Sequence, residues 1–239
     1  MKLHSNVLAV AALIGGISLL GRSNAAAASI VVPNFSFEAP DAADGQNASP
    51  GPTGWLTVNA GGFDPIDSKY PGTTGDNANT LGVLPHGGQA GFVFANGTMG
   101  GSLTTAASLL TIANNTTYTL TAAVGQEALT GAGGRAGFSA GIELLAGGVT
   151  IPAGSRFGIT VVPGTFQDFS VSFTTGANDP LAGQALTVRL SQAGAAANQF
   201  PAPSFDNVRL DATVVPEPTA VALLGACGLG LLARRRRVH

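Results

Sequence analysis

Apolar and polar residues alternate in short segments along most of the chain. The clearest segment is 117–124, where Tyr118, Leu120 and Ala122 alternate with two threonines and an alanine. Residues 166–174 alternate in the same way, with apolar side chains on one face. A period of two indicates β-strands that bury one face. We predict eight to ten short strands, drawn from residues 29–32, 55–58, 90–95, 102–106, 117–124, 138–145, 148–151, 166–174, 185–191 and 204–213.

Turns rich in Gly, Pro, Asn and Asp separate these segments, and helical periodicity is scarce among them. Short strands divided by such turns are typical of all-β folds. We therefore predict an all-β domain over residues 29–213, a jelly-roll β-sandwich. A repeat solenoid is the alternative, although the segments show no fixed period. Residues 59–89 are long and polar, which predicts an extended loop with little regular structure.

Two apolar segments lie outside the predicted sandwich. Near the N-terminus, Lys2 and His4 precede the apolar residues 7–20 and an alanine run ends at Ala28. This order is typical of a secretory signal peptide over residues 1–28, with an uncleaved signal anchor as the alternative. The domain that remains after cleavage would be exported through the inner membrane.

The second apolar segment lies in the tail, residues 214–239. The tripeptide Pro216-Glu217-Pro218 precedes residues 219–233, which carry no charge, and then come Arg234, Arg235, Arg236 and Arg237. As a helix the apolar residues would extend about 22 Å, so flanking residues would have to complete a transmembrane helix across a hydrocarbon core of about 30 Å. The arginines are expected to stay on the cytoplasmic side.

This order of Pro-Glu-Pro, apolar helix and arginine cluster resembles the PEP-CTERM sorting signal of Gram-negative bacteria. The resemblance implies recognition by an exosortase-type membrane transpeptidase and delivery to the cell surface or the extracellular matrix. It also implies at least transient insertion into the inner membrane. A permanent C-terminal anchor is the alternative interpretation.

Charge and cysteine content change the picture once the two ends are set aside. Residues 29–215 contain five basic and twelve acidic side chains, a net charge of −7, whereas the whole chain carries −2. Nucleic-acid binding requires clustered Lys and Arg, so this balance argues against it. The single cysteine, Cys227, lies in the tail, and the predicted sandwich therefore has no disulfide.

Several motifs of the sandwich region resemble carbohydrate-binding-module and galactose-binding-like jelly rolls. They are residues 34–38 (NFSFE), 54–55 (GW), 117–120 (TYTL) and 205–210 (FDNVRL), with Phe35 at a position where relatives usually carry Gly. The resemblance implies a structural Ca²⁺ between the first and last strands, with Glu38 and Asp206 as ligands. Because Ca²⁺ takes six to eight oxygens, carbonyl groups would have to complete this site. The alternative is that Asp206 bonds locally and shapes a turn.

Glycan binding would use exposed aromatic rings, and the candidates are Trp55 and Tyr70. Trp55 follows Gly54 at the start of a predicted strand, which favours a core position. Tyr70 lies in the polar region 59–89. Tyr118 alternates with apolar residues and is expected in the core.

Catalytic motifs are scarce in the predicted sandwich. His86 is its only histidine and is expected at the surface of a loop, and no G-x-S-x-G motif occurs. We therefore expect a non-catalytic surface or matrix protein whose sandwich either binds exopolysaccharide or has a structural role only. The alternative is an exported polysaccharide hydrolase that uses Glu127 and Glu143 as paired carboxylates. Ice binding ranks third, because the threonines do not repeat at a regular strand spacing.

Overall fold

Thirteen strands and no helix make up the described part of the molecule. A computed structural model of the chain describes residues 27–41, 47–48, 51–58, 66–67, 83–93, 100–126, 139–192 and 203–216. Residues 27–213 belong to one compact unit. The strands are β1 (Ala28–Ile30), β2 (Asn47–Ala48), β3 (Trp55–Val58), β4 (Ile66–Asp67), β5 (Ala90–Phe92), β6 (Gly101–Thr105), β7 (Leu110–Thr111), β8 (Thr116–Gln126), β9 (Ala140–Ala146), β10 (Val149–Ile159), β11 (Thr165–Thr174), β12 (Ala185–Gln192) and β13 (Ser204–Val214).

The strands form two antiparallel sheets. Sheet A has the order β11-β8-β13-β5-β4-β2, and β1 pairs with β13. Sheet B has the order β10-β9-β12-β6-β3, and β7 pairs with β12. The predicted all-β sandwich is confirmed at this level.

Alternation along the central strands builds the core between the sheets. In β8 the side chains of Tyr118 and Leu120 are buried, and in β12 those of Leu186, Val188 and Leu190 are buried. All five belong to one apolar cluster with contributions from both sheets. The core position expected for Tyr118 is thus confirmed, because its ring stacks on a core phenylalanine of β11 at a centroid distance of 5.1 Å.

One predicted boundary is wrong. Strand β10 continues to Ile159, whereas the prediction ended at residue 151. Its register against β9 shifts twice, and Pro152 and Gly154 interrupt the alternation that would have indicated a strand. Such irregularity is tolerated because β10 lies at the edge of sheet B. The predicted loop 59–89 contains a short strand, β4, which pairs with β2 and β5.

The predicted targeting segments lie almost entirely outside the described residues. Of the tail, only residues 214–216 are described. Within the described ranges, no helix has the length and apolar character needed to cross a membrane.

Candidate functional site

A tight turn after β1 orients the first acidic residue of the candidate site. The Asn34 side chain donates to the Ala39 carbonyl at 2.7 Å and accepts from the Ala39 amide at 3.1 Å. The Phe37 amide donates to the Asn34 carbonyl at 3.0 Å. Asn34 and Phe37 carry the positive φ angles, 46° and 62°, so the turn forms with Phe35 at the position where Gly was expected. The closed turn thereby fixes the direction of the Glu38 side chain.

Trp55 anchors the same turn from inside the sandwich. Its indole N–H donates to the Pro33 carbonyl at 3.0 Å, and its ring lies 5.2 Å from that of Phe37. Only 6% of Trp55 is exposed. The ring therefore packs in the core, the position that its sequence context favoured, and a role as an exposed sugar platform finds no support.

The Glu38 carboxylate holds the backbone of residues 86–89. It accepts hydrogen bonds from the Gly88 amide at 3.0 and 3.1 Å and from the Gln89 amide at 3.1 Å. Gly87 has a φ of +64°, and a Cβ atom built there would lie 2.1 Å from Glu38 Oε1. The position favours glycine, because any side chain would displace the carboxylate that these amides hold and would strain the backbone.

Asp206 approaches the same segment from β13. Its Oδ2 accepts from the His86 amide at 2.7 Å, and its Oδ1 accepts from the Asn207 amide at 2.6 Å. Asn207 has a φ of 49°. Phe205 and Val208 both lie in the core although they are three residues apart, so Asn207 absorbs an extra residue in the strand. This irregularity directs Asp206 away from the core side chains, toward residues 86–89.

Burial gives Asp206 unusual acid–base behaviour. The side chain is fully buried, and desolvation raises the pKa of its carboxyl from 3.8 to about 7. The hydrogen bonds from His86 and Asn207 lower the pKa, while the negative charge of Glu38 raises it further. Asp206 therefore changes its protonation state near neutral pH.

An unpartnered hydroxyl lies close to Asp206 in the sequence. Among the described residues, Ser204 Oγ is the one buried side-chain oxygen or nitrogen that makes no hydrogen bond. Residues two apart in a strand point to the same face, so Ser204 and Asp206 share one face of β13. A buried polar atom without a partner is uncommon in a folded protein.

The two expected calcium ligands, Glu38 and Asp206, thus lie close together. Their carboxylates, however, are held by hydrogen bonds from backbone amides. In the described part of the chain, the hydrogen bonds that Glu38 and Asp206 accept come from backbone N–H groups. Few lone pairs of the two carboxylates therefore remain to bind a shared ion. No group of three or more His, Cys, Asp or Glu side chains suited to a metal occurs in the described ranges. The described donor set by itself therefore does not fit the six to eight oxygens that Ca²⁺ takes. Calcium binding stays a prediction.

A second buried carboxylate lies on sheet B. Glu143 of β9 accepts a two-pronged hydrogen bond from Arg189 of β12, in which Nε lies 2.9 Å from Oε1 and Nη2 contacts Oε2. Thr150 and Ser191 donate to the same carboxylate at 2.9 Å each. This ion pair raises the pKa of Arg189. Glu143 is thus fully engaged by neighbours, and its hypothetical partner Glu127 lies outside the described residues.

The remaining predicted residues divide into described and undescribed ones. His86 is exposed, and its ring makes an edge contact with Phe35 at 4.9 Å. Pro216 is exposed at the end of the described chain. Tyr70, Glu217, Pro218, Arg234, Arg235, Arg236 and Arg237 lie outside the described ranges.

Sequence reasoning missed three residues that shape these sites. Gly87 and Gln89 close the Glu38 site, where Gln89 Nε2 donates to the carbonyls of Phe37 and Pro40 at 3.0 Å each. The G-G-Q sequence at 87–89 was a usable signal for a tight backbone. Arg189 was counted only as a charge, since nothing local shows that it faces Glu143.

Comparison with known proteins identifies the domain. Residues 28–211 match the family model named HpiC1-like and described as HpiC1 cyclase. The chain belongs to the HpiC1-like family. Residues 214–237 match the PEP-CTERM protein-sorting motif, which confirms the interpretation of the tail as a sorting signal. No curated protein matches the chain.

Solved structures of cyclases from Fischerella share the HpiC1-like fold. A Stig cyclase from Fischerella sp. TAU in complex with (3Z)-3-(1-methyl-2-pyrrolidinylidene)-3H-indole is 23% identical, with a TM-score of 0.65 and coverage of 80% of this chain and 100% of that one. A Fischerella sp. TAU cyclase bound to 4-(1H-indol-3-yl)butan-2-one is 22% identical, with a TM-score of 0.61 and the same coverage. At these identities the similarity shows the fold alone.

The expected carbohydrate-binding-module resemblance is not shown beyond the β-sandwich itself. A structure of TmCBM61 in complex with β-1,4-galactotriose is 14% identical, covers 77% of this chain and 98% of that one, and has a TM-score of 0.43. The β-sandwich is present, but the family that the sequence matches is the HpiC1-like one.

Proposed function

We propose that the HpiC1-like domain of this exported protein is a non-catalytic module that binds exopolysaccharide at the cell surface or in the extracellular matrix. The PEP-CTERM motif marks the chain as an exosortase-sorted, exported protein of the cell envelope or surface. The observation that carries the proposal is the position of this motif. It begins at residue 214, where β13 ends, so the complete sandwich precedes the signal and is delivered as one domain.

The two ends of the chain have separate roles in export and sorting. Residues 1–28 act as a signal peptide, and residues 219–233 insert as a transmembrane helix with Arg234–Arg237 on the cytoplasmic side. An exosortase-type transpeptidase of a Gram-negative inner membrane then acts near Pro216-Glu217-Pro218. The domain leaves the membrane after this step.

Intact-mass spectrometry tests the sorting step. We expect the protein recovered from the surface and the medium of an exosortase-bearing host to lack its apolar segment and the arginines that follow. A matched variant with Arg234–Arg237 replaced by Gln should keep them and accumulate unprocessed. Recovery of the unaltered protein in the membrane, with Arg234–Arg237 intact, would instead identify a permanent anchor.

The engaged state of Glu143 supports a non-catalytic role. A hydrolase that used Glu143 would need this carboxylate to reach a glycosidic bond. Its oxygens instead accept hydrogen bonds from Arg189, Thr150 and Ser191. We expect the full chain to be retarded in gels that contain the host's exopolysaccharide, without release of reducing ends. Release of reducing ends that Glu143→Gln abolishes would favour the hydrolase instead.

A second candidate function is acid catalysis at Asp206, and two observations favour it. Asp206 is buried with a pKa of about 7, the range suited to proton transfer at neutral pH, and the Ser204 hydroxyl on the same face has no partner among the residues that the structure describes. The family model is described as a cyclase, and an acid that lends a proton and recovers it can promote a cyclisation. Incubation with indole-bearing alkenes tests this candidate. Cyclised product that Asp206→Asn abolishes supports it, and an unchanged substrate contradicts it.

A further inference from the structure

A groove opens on the outer face of sheet B, away from the Glu38–Asp206 site. In β9 the side chains of Ile142 and Leu144 enter the core, so Glu143 between them points outward. Arg189 and Ser191 of β12 point outward for the same reason. The strand register places Arg189 opposite Glu143.

The floor of the groove is an ion pair whose carboxylate is almost completely removed from water. Glu143 is 1% exposed, whereas 31% of the Arg189 side chain remains exposed. Arg189 Nη2 also donates to Thr150 Oγ1 at 2.7 Å. The hydrogen bonds hold the guanidinium in one orientation, and its exposed part faces the groove. The positive and negative charges of the pair cancel.

One wall of the groove is an aromatic ring. Phe157 of β10 packs over Gly141, since a Cβ atom at Gly141 would lie 2.8 Å from Phe157 Cδ1 and 2.5 Å from Ser191 Oγ. The ring nevertheless stays 59% exposed. An exposed phenylalanine held against a glycine presents a flat apolar surface at a set height above the sheet.

These groups line an open groove with a volume of about 330 Å³, at the small end of the usual range for ligand sites. Its lining includes Ser102, Glu143, Phe157, Arg189, Ser191 and Gln192. The ion pair has no net charge and the domain around it is acidic, so the groove offers an anionic ligand no excess positive charge. A purely apolar ligand would cover the charged floor without replacing its water. A neutral ring with hydroxyl groups satisfies both surfaces, because its apolar face stacks on an aromatic ring while its edges exchange hydrogen bonds.

We propose that this groove binds one neutral sugar residue of a polysaccharide, stacked on Phe157 and hydrogen-bonded to the exposed edge of Arg189. The inference rests on the proposed polysaccharide-binding function and gives it a place and a ligand class. We expect uronic acids and indoles to bind more weakly than neutral sugars, because the floor is polar and has no net charge.

The test compares Phe157→Ala with Val149→Ala in the full chain. Both remove an exposed apolar side chain from β10, and only Phe157 lines the groove. The probes are dextran and β-1,4-galactan as neutral polymers and alginate as a uronate polymer, measured by affinity electrophoresis. We expect binding to a neutral polymer, about tenfold weaker in Phe157→Ala, unchanged in Val149→Ala, and no binding to alginate. If Phe157→Ala binds the neutral polymers as tightly as the unaltered protein, or if the protein prefers alginate, the groove is not the sugar site. The proposed polysaccharide-binding function would still stand.

A second measurement separates the two proposals if no polymer is retained. Methyl glucoside and methyl galactoside are titrated while the Arg189 Nε–H resonance is followed by NMR. If a methyl glycoside shifts the Arg189 resonance and Phe157→Ala removes this shift, the groove binds a sugar. Polysaccharide binding as the function would then be contradicted, because no polymer was retained. No shift overturns the groove as well.

Discussion

Two buried carboxylates, Asp206 on sheet A and Glu143 on sheet B, are stabilised in different ways. Glu143 lies against the guanidinium of Arg189 and accepts two further hydroxyl hydrogen bonds. Within the described part of the chain, Asp206 has only backbone amides as donors, and a second carboxylate, Glu38, lies nearby. Amides are partial charges, and they do not offset full burial of an anion as a guanidinium does. The pKa of Asp206 therefore rises to about 7, and Glu143 is a structural ion-pair partner.

Removing the cation of the Glu143 pair should have the largest effect. Arg189→Ala leaves a buried carboxylate without its countercharge, and we expect a loss of about 3–5 kcal/mol in the free energy of unfolding. Urea unfolding at pH 7 measures it. The double variant Glu143→Met/Arg189→Met removes both charges and should regain most of the loss. A loss below about 1 kcal/mol for the single variant would contradict the assignment of a buried pair.

Removing the charge of the other buried carboxylate, Asp206, should instead increase the free energy of unfolding. The pKa of Asp206 is about 7 in the folded protein and about 3.9 when unfolded, so the folded state binds the proton more tightly. Stability from this group is greatest below about pH 4 and falls as the pH rises toward 7. Asp206→Asn removes this fall, and after the loss of one amide acceptor we expect a net gain of ~2–3 kcal/mol at pH 8.

Unfolding measured from pH 4 to pH 8 checks this sign. Asp168→Asn is the matched control, because Asp168 is exposed and should leave the slope unchanged. A slope that persists in Asp206→Asn would show that another group titrates in this range.

Gly87 offers a way to perturb the Asp206–Glu38 region without changing a charge. Gly87→Ala places a methyl group against Glu38 Oε1 and strains a left-handed backbone, so we expect a loss of about 2 kcal/mol. Gly183→Ala is the matched control, since its φ is +86° but nothing lies within 4 Å of the added Cβ. It should lose ~1 kcal/mol. Thermal unfolding compares the two, and equal losses would contradict the close contact with Glu38.

The smallest effect is expected at an exposed ion pair. Arg209 lies 2.5 Å from Asp168 on sheet A, and both side chains are about half exposed. Water and salt screen this pair, so Arg209→Ala should change stability by less than about 1 kcal/mol. Chemical denaturation in low and high salt measures it. A loss as large as that of Arg189→Ala would show that burial is not what distinguishes the two pairs.

Local patterns predicted most of the sheet strands because alternation reports burial directly. Residues 117–124, 166–174 and 185–191 all lie within observed strands that extend them by at most a few residues. The prediction was wrong for β10, because an edge strand with bulges does not need to alternate. The left-handed backbone of Asn207 within β13 could not be predicted either, because it depends on the contact between its neighbour Asp206 and the distant His86 amide.

Part of the candidate site was accessible from the sequence. Glu38 and Asp206 were paired through a motif resemblance, and the structure brings both to residues 86–89. The backbone amides that hold them could not be assigned, because Gly88 lies 50 residues after Glu38. Arg189 and Glu143 are separated by 46 residues, and only the pairing of β12 with β9 makes them neighbours.

Contiguous residues specify the all-β class, the acidic charge of the domain and the sorting signal, because alternation, charge and the tail motif are local properties. Folding specifies which carboxylates are buried, which donors contact them, and where Phe157 and Arg189 form a groove. Those features depend on strand register and on loss of water. Both arise only when distant segments pack together.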